Sequence, residues 1–209
     1  MAGEHYFTAE PEVAVERAEV AFEAAGREFR LVSASGVFSA SRLDPGTAVL
    51  LDEAPLPGAE TEGALLDLGC GWGPITSVLA AGAPNVTIYA IDVNQRALGL
   101  TRENAERVGA AGRVLAMEPG AVPATVGFAQ IWSNPPIRVG KAELHELLLR
   151  WLPRLVPGGT AWLVVGKNLG ADSLQRWIAQ QNIAGQGFIA ERYASRKGFR
   201  VLKVEKPLP

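Results

Sequence analysis

Residues 65–68 are apolar except for Asp67, and the chain then passes Gly69, Gly71 and Gly73 before reaching Pro74. A buried strand therefore hands over to a helix through a sharp turn, because glycine admits backbone angles closed to other residues and proline suits a first helical turn. Downstream the pattern alternates. It predicts a helix to about Ala81, a strand over 86–92, a helix over 95–108, a strand over 113–117, a loop at Pro119, Gly120 and Pro123, and a strand over 128–133. Strands separated by helices imply a parallel sheet with right-handed crossovers and helices on both faces. Residues 141–156 place Leu144, Leu147, Leu148, Trp151, Leu152 and Leu155 on one side, which predicts a long amphipathic helix stopped by Pro157-Gly158-Gly159. A buried strand over 161–165 and a helix over 172–181 follow. The last two strands, 188–193 and 199–204, are joined only by Ser195-Arg196-Lys197-Gly198. So short a link requires an antiparallel pair, since parallel strands need a crossover of a dozen residues or more.

The first third has no such regularity. Residues 20–23 and 28–32 alternate apolar and polar around Ala25-Gly26-Arg27, as a hairpin does, while a helix over 12–25 matches the pattern nearly as well. A turn-rich stretch over 36–47 feeds Ala48-Val49-Leu50-Leu51, and Pro55 and Pro57 mark a linker. The expected organisation is one domain, with an extension over 1–57 closing over the site of a core over 58–209.

Composition narrows the classes. A chain of 209 residues suits one α/β domain with a sizeable core. A net charge of −2 argues against non-specific coating of nucleic acid, but a local basic patch is compatible with it. One cysteine excludes an internal disulfide, and without a histidine cluster no metal site is expected. The start has no signal-type apolar core and no apolar run approaches the roughly 20 residues of a membrane span, so a cytoplasmic location is expected. His5 and His145 read as surface residues, Cys70 as a small packing residue, and the five tryptophans as core or helix-face residues.

The glycine turn carries the chemistry. A dinucleotide fingerprint spaces its glycines Gly-x-Gly-x-x-Gly to seat a pyrophosphate. Here the spacing is Gly69-x-Gly71-x-Gly73, with Asp67 two residues ahead, where a carboxylate repels phosphate and accepts hydrogen bonds from a cationic amino group. A cofactor with an ammonium, a ribose and no phosphate suits this better, and S-adenosylmethionine is one. Asp92 ends the next strand, in place for ribose hydroxyls. At the end of the strand over 128–133, Asn134-Pro135-Pro136 offers an amide oxygen beside carbonyls held by two rings without N–H groups. An exocyclic amine on a planar ring can donate both hydrogens to Asn134 and the Pro135 carbonyl, presenting its nitrogen to a sulfonium methyl. No general base is needed.

These motifs, with Asp92-Val93-Asn94, Gly36-Val37-Phe38-Ser39, Leu43-Asp44-Pro45-Gly46-Thr47, His5-Tyr6-Phe7 and Lys197-Gly198-Phe199, resemble the small class I methyltransferase family over nearly the whole chain. Its best-known members methylate guanine N2 in 16S ribosomal RNA. The resemblance implies a Rossmann-like α/β fold and S-adenosylmethionine as cofactor. It implies that Asp67, Gly69 and Gly71 hold the methionine end of the cofactor and Asp92 the ribose, with Cys70, Gly73, Val93, Asn94 and Asn134 also at the cofactor site, and that Glu118 meets the adenine amine. Asn134, Pro135 and Pro136 then take the acceptor, while Phe38, Asp44 and Thr47 close over the cofactor. Ile137, Arg138, Lys141 and Lys197 adjoin the substrate in this reading, and Lys167, Arg192, Arg196 and Arg200 suit either a basic rim toward RNA phosphates or a solvated face offsetting the chain's acidic residues. Two departures stand out. Many members have an aromatic residue where this chain has Ile137, so base stacking falls to another residue such as Phe38. Ribosomal members often carry a second, degenerate half for which this chain is too short, so an oligomer or a preformed ribosomal surface takes its place. The alternatives are methylation of a protein glutamine amide or another base amine, a non-catalytic RNA-binding module, and, more distantly, an NAD dehydrogenase.

Overall fold

A computed structural model describes residue 11 and residues 13–136, 140–183 and 186–209. The expectations for His5-Tyr6-Phe7, Ile137 and Arg138 fall outside them. In chain order the elements are β1 (Arg17–Ala24), β2 (Arg27–Ala34), α1 (Pro45–Glu53), β3 (Ala64–Leu68), α2 (Pro74–Gly82), β4 (Thr87–Ile91), α3 (Gln95–Arg107), β5 (Val114–Met117), β6 (Phe128–Ser133), α4 (Lys141–Trp151), β7 (Leu155–Gly166), α5 (Ala171–Ala179), the short pair β8 (Asn182–Ile183) and β9 (Gln186–Gly187), β10 (Ile189–Arg196) and β11 (Phe199–Glu205).

Seven strands form the main sheet in the order β10-β11-β7-β6-β3-β4-β5. The pairs from β7 to β5 are parallel, and β11 joins β7 and β10 antiparallel. The chain runs from β3 outward to β4 and β5, then returns to the other side of β3 with β6. That reversal opens a crevice at the strand carboxyl ends, beside β3 and β6. Helices cover both faces. One core cluster includes Leu65, Trp72, Leu79, Ile88, Leu98 and Trp132, the other Leu66, Phe128, Ile131, Leu148, Trp151 and Ile178. Their alternation along β3 and β6 is that of strands buried on both sides. Among the described residues no helix is long and apolar enough to cross a membrane.

The N-terminal region is the hairpin, not the helix. β1 and β2 pair from Arg17↔Ala34 to Ala24↔Arg27, around Ala25 and Gly26 with φ of 53° and 69°. Two left-handed residues in a row match the twist of a two-residue hairpin loop, and a continuous helix cannot contain them. Phe22 stacks on Phe29 at 5.4 Å and meets the edge of Trp72 at 6.2 Å, which seats the hairpin against the glycine turn. The Asp-Pro-Gly sequence that reads as a turn instead starts α1, with Asp44 as N-cap and Pro45 in the first turn.

The helix expected over 141–156 is shorter. α4 stops at Trp151, residues Leu152–Arg154 make a 3₁₀ turn containing Pro153, and β7 begins at Leu155. Leu155 lies four residues after Trp151 and enters the same core cluster, so helical periodicity continues into a residue buried as strand. Pro157-Gly158-Gly159 sits inside β7, where the pairing with β6 shifts register between Phe128 and Gln130. A Cβ on Gly159 would come within 3.0 Å of the carbonyls of Val156, Ala129 and Phe128, so this glycine serves close strand approach.

Candidate active site

One cleft at the carboxyl ends of β3 and β6 is lined by Phe38, Ser39, Asp44, Thr47, Gly69, Cys70, Gly71, Trp72, Pro74, Ile75 and Asn134. It thus joins the glycine turn, the end of β6 and the loop before α1. Gly69 and Gly71 have φ of +79° and +55°, and a Cβ on either would meet nothing within 4 Å. Their backbone faces open space. Gly73, at φ +86°, differs: a Cβ there would lie 2.9 Å from Thr101 Oγ1 and 3.2 Å from Thr101 Cα, so it allows α3 to pack against the turn.

The two carboxylates at the strand ends are held by backbone N–H groups and, at Asp67, by a hydroxyl as well. Asp92 Oδ2 accepts from Gly71 N–H at 2.9 Å, and its Oδ1 accepts from Asn94 N–H at 2.9 Å. Burial raises the Asp92 pKa, against the N–H groups of Asn94, Gly71 and Val93 that favour its anion. Asp67 lies deeper, fully buried and outside the cleft lining. Its Oδ2 accepts from Thr76 N–H at 2.9 Å and from Thr76 Oγ1 at 2.5 Å, while Oδ1 is buried without a partner. Burial pushes Asp67 up to about 7, opposed by the two Thr76 hydrogen bonds. Instead of standing open in the cleft, Asp67 buttresses the turn from below with one oxygen unspent.

Asn134 leaves the end of β6 and turns its amide toward the N-terminal segment. Its Nδ2 donates to Asp44 Oδ1 at 2.7 Å and to Thr47 Oγ1 at 3.0 Å. Asp44 Oδ1 also accepts from Gly46 N–H at 2.8 Å and Thr47 N–H at 3.1 Å, capping α1. Pro135 is buried and Pro136 half-buried behind Asn134. Phe38 is 46 % exposed above the turn, on a loop where Ser39 holds φ of 51° and its hydroxyl donates to Arg42 O at 2.8 Å. Cys70 is buried, and burial with the nearby charges of Asp92 and Asp67 drives its pKa well up, so it packs as a protonated thiol.

Other expected residues stand elsewhere. Asn94 is buried, with Oδ1 capping α3 through Arg96 N–H and Ala97 N–H and Nδ2 donating to Gly36 O at 2.8 Å. It ties the N-terminal loop to the core. Glu118 is exposed, accepts from Gln95 Nε2 and does not line the cleft. Val93 is 44 % exposed just past the end of β4. The basic rim is thinner than expected, because Arg196 pairs with Asp52 at 3.3 Å and Glu53 at 3.0 Å, and Arg192 and Arg200 both approach Asp172. Lys167 and Lys197 do come to the sheet's carboxyl end, where Lys167 N–H donates to Gly198 O at 2.8 Å, and Lys141 opens α4. His145 is half-buried, stacked on Trp177 at 3.6 Å, where burial and Lys141 lower its pKa.

Three residues of the site's frame escaped sequence reasoning. Buried Asn104 of α3 accepts from Val32 N–H and donates to Val32 O and Trp72 O at 2.7–2.8 Å, joining β2 to the glycine turn. Thr101 donates to Gly71 O at 2.9 Å, and Ser133 donates to Leu68 O at 2.7 Å, binding the ends of β6 and β3. Their only signal is a polar residue within an otherwise apolar stripe.

Comparison with known proteins agrees with this architecture. The Methyltransferase small domain family matches residues 28–203. The uncharacterized protein YbxB of Bacillus subtilis is 34 % identical over 205 residues, 97 % of this chain and 98 % of its own. Ribosomal RNA small subunit methyltransferase C of Shewanella loihica is 30 % identical over 81 % of this chain but only 50 % of its own length, so this chain spans about half of that relative. The solved 16S rRNA N2 G1207 methyltransferase (RsmC) of T. Thermophilus, in complex with AdoMet and guanosine, superposes with a TM-score of 0.70 at 22 % identity, over 94 % of this chain and 52 % of its own. A Rossmann-like parallel sheet closed by an antiparallel hairpin, and a family match over most of its length, make this chain a member of the methyltransferase small-domain family.

Proposed function

We propose that this chain is an S-adenosylmethionine-dependent N-methyltransferase acting on an exocyclic amine, guanine N2 of ribosomal RNA. The observation that carries the reading is the meeting of the glycine turn and Asn134 in one cleft. The site suits the cofactor: Gly69 and Gly71 leave the backbone open to close approach, and Asp67 holds a buried oxygen without a partner. When bound, S-adenosylmethionine supplies a methyl group on a sulfonium. The chain's residues then have separable tasks. Gly69, Gly71 and Gly73 shape the turn, Asp92 fixes it to the end of β4, and Phe38 covers it from the N-terminal side. Asn134 Oδ1 and the Pro135 carbonyl accept the two amine hydrogens, which fixes the plane of the base and aims the nitrogen lone pair. Holding that line of attack is the main catalytic contribution, because orientation alone supplies a large part of a bimolecular barrier. The spare proton leaves to water after transfer.

Named relatives of which this chain spans about half methylate small-subunit ribosomal RNA, and Lys141, Lys167 and Lys197 at the same end of the sheet suit phosphates flanking an unstacked guanine. Ribosomal subunits from cells lacking the protein are the test substrate, with tritiated-methyl cofactor and mass mapping of the product. Label in guanine N2 of ribosomal RNA is the expected result; label confined to protein overturns the RNA reading in favour of a glutamine amide.

A further inference from the structure

The side-chain amide of Asn134 has two hydrogens, and both are taken: one by Asp44 Oδ1 at 2.7 Å, the other by Thr47 Oγ1 at 3.0 Å. The opposite orientation would press the amide oxygen against a carboxylate oxygen at the same distance, two acceptors with no proton between them. Neither partner is free to drift. Asp44 Oδ1 is anchored by the N–H groups of Gly46 and Thr47, and Thr47 is 4 % exposed inside the first turn of α1. That turn is seated in turn by Gly46, where a Cβ would lie 3.0 Å from the Phe199 ring.

We propose that Asp44 and Thr47 are positioning residues that set the acceptor specificity of the site: by holding both amide hydrogens of Asn134 they leave only its Oδ1 to face the cleft. The inference rests on the amine-methylation reading above. A site that presents only an acceptor takes a reacting nitrogen that carries hydrogens, and rejects a bare ring nitrogen or a carbonyl oxygen, whose lone pairs would oppose Oδ1. Discrimination of this kind is strong, because the wrong substrate leaves a polar group unpaired. Asp44 adds an electrostatic role. Its carboxylate lies behind the amide, and hydrogen bonds to Nδ2 polarise the group so that Oδ1 becomes the better acceptor. As transfer proceeds, the amine lone pair forms the N–C bond, the C–S pair returns to sulfur as a neutral thioether, and the nitrogen becomes cationic until its proton leaves to water. A more negative Oδ1 favours that cation. The loop before α1 is thus part of the acceptor clamp as well as a cover.

Separating this role from helix capping needs a variant that caps without reaching. Asp44→Ser keeps a good N-cap, but its side chain is too short to meet Asn134. Thr47→Val removes the second acceptor at nearly constant shape, and Thr47→Ser restores it. In ¹⁵N-labelled protein, both Asn134 amide protons are expected to be protected from solvent exchange, to lose protection in Asp44→Ser and Thr47→Val, and to regain it in Thr47→Ser. On ribosomal RNA that the wild type methylates, and at saturating S-adenosylmethionine, each loss is expected to lower kcat roughly tenfold, with thermal midpoint held. Asn134 protons exchanging in the wild type as fast as those of an exposed asparagine overturn the proposal, whatever the substrate. So do Asp44→Ser and Thr47→Val variants that keep wild-type kcat. A wild type that methylates no RNA while its Asn134 protons behave as expected counts against the RNA reading and supports the positioning role.

Discussion

The two walls of the cleft are built in different ways. On the glycine-turn wall, each carboxylate is held by groups close along the chain: Asp67 by Thr76, nine residues on, and Asp92 by Gly71, twenty-one residues back. On the acceptor wall, Asn134 is held by Asp44 and Thr47, ninety and eighty-seven residues away. The first wall is nearly assembled by one strand-turn-helix and its neighbour. The second exists only once the N-terminal segment has docked. Loss of the Asp44 and Thr47 contacts to Asn134 should therefore impair transfer.

The largest effect that tests this contrast comes from Asn134→Ala. It removes the acceptor of the amine while leaving the glycine turn untouched, so kcat should fall on the order of 10³-fold, as for loss of a preorganised hydrogen-bonding group. S-adenosylmethionine affinity measured by calorimetry should stay close to wild type. Equal loss of both would mean the walls are one unit and the comparison is wrong.

The glycine-turn wall has its own signature in pH. Asp67 is an acid at about 7 in the fold against 3.8 in an unfolded chain, so between those values the folded state binds the extra proton and stability falls as pH rises. At 1.36 kcal/mol for each pKa unit the loss is at most about 4 kcal/mol across that window. Chemical denaturation at pH 5 and pH 8 should show it, and Asp67→Asn should flatten it. Cationic ligands that reach the unspent Oδ1 favour the carboxylate, so S-adenosylmethionine should bind more tightly as pH rises through 7. An affinity indifferent to pH would remove Asp67 from any direct ammonium contact.

How far each wall could be read from sequence follows the same division. Gly69, Gly71, Gly73 and Asp92 announce themselves because the turn needs them at fixed local spacing. The hairpin of β10 and β11 was equally plain, since a four-residue link leaves no other pairing. Asn134 was legible as a polar residue before two prolines, but the direction of its amide was not, because its partners lie in another part of the chain. The resemblance that implies Asn94 at the cofactor site does not reveal its role as the N-cap of α3, which its side chain fills. The end of α4 departs from its pattern for a different reason: Leu155 satisfies a helical stripe and a buried strand alike. The basic rim thinned once Asp52, Glu53 and Asp172 came beside its arginines, contacts no local pattern encodes.

Gly73→Ala probes the seam where the glycine turn meets α3. At φ +86° and 2.9 Å from Thr101 Oγ1, an added methyl meets both backbone strain and a clash with a helix that cannot retreat without moving Asn104. A cost of about 2 kcal/mol is expected, read as a lowered thermal midpoint. Gly69→Ala shares the left-handed backbone but meets open space, so it should cost less in stability and more in cofactor affinity. Reversal of that order would break the distinction between the packing glycine and the ligand-facing one.

The smallest expected effect concerns what holds the N-terminal segment in place. A chain of exposed ion pairs runs along the outside of the hairpin and α3: Arg17 with Glu103, Arg107 with Glu19 at 3.3 Å, and Arg30 with Glu19 and Glu28. These side chains are a third to nearly two-thirds exposed, where solvent and salt screen the attraction. Inside the same seam, Asn104 makes three hydrogen bonds at full burial. If docking depends on the buried contacts, Arg17→Ala should cost less than about 0.5 kcal/mol and moderate salt should barely move the melting curve. Because Asn134 is oriented only through the docked segment, kcat should follow the same insensitivity. Salt that lowers kcat at unchanged thermal midpoint and saturating RNA would place the surface charges in control of docking, and with it the acceptor wall.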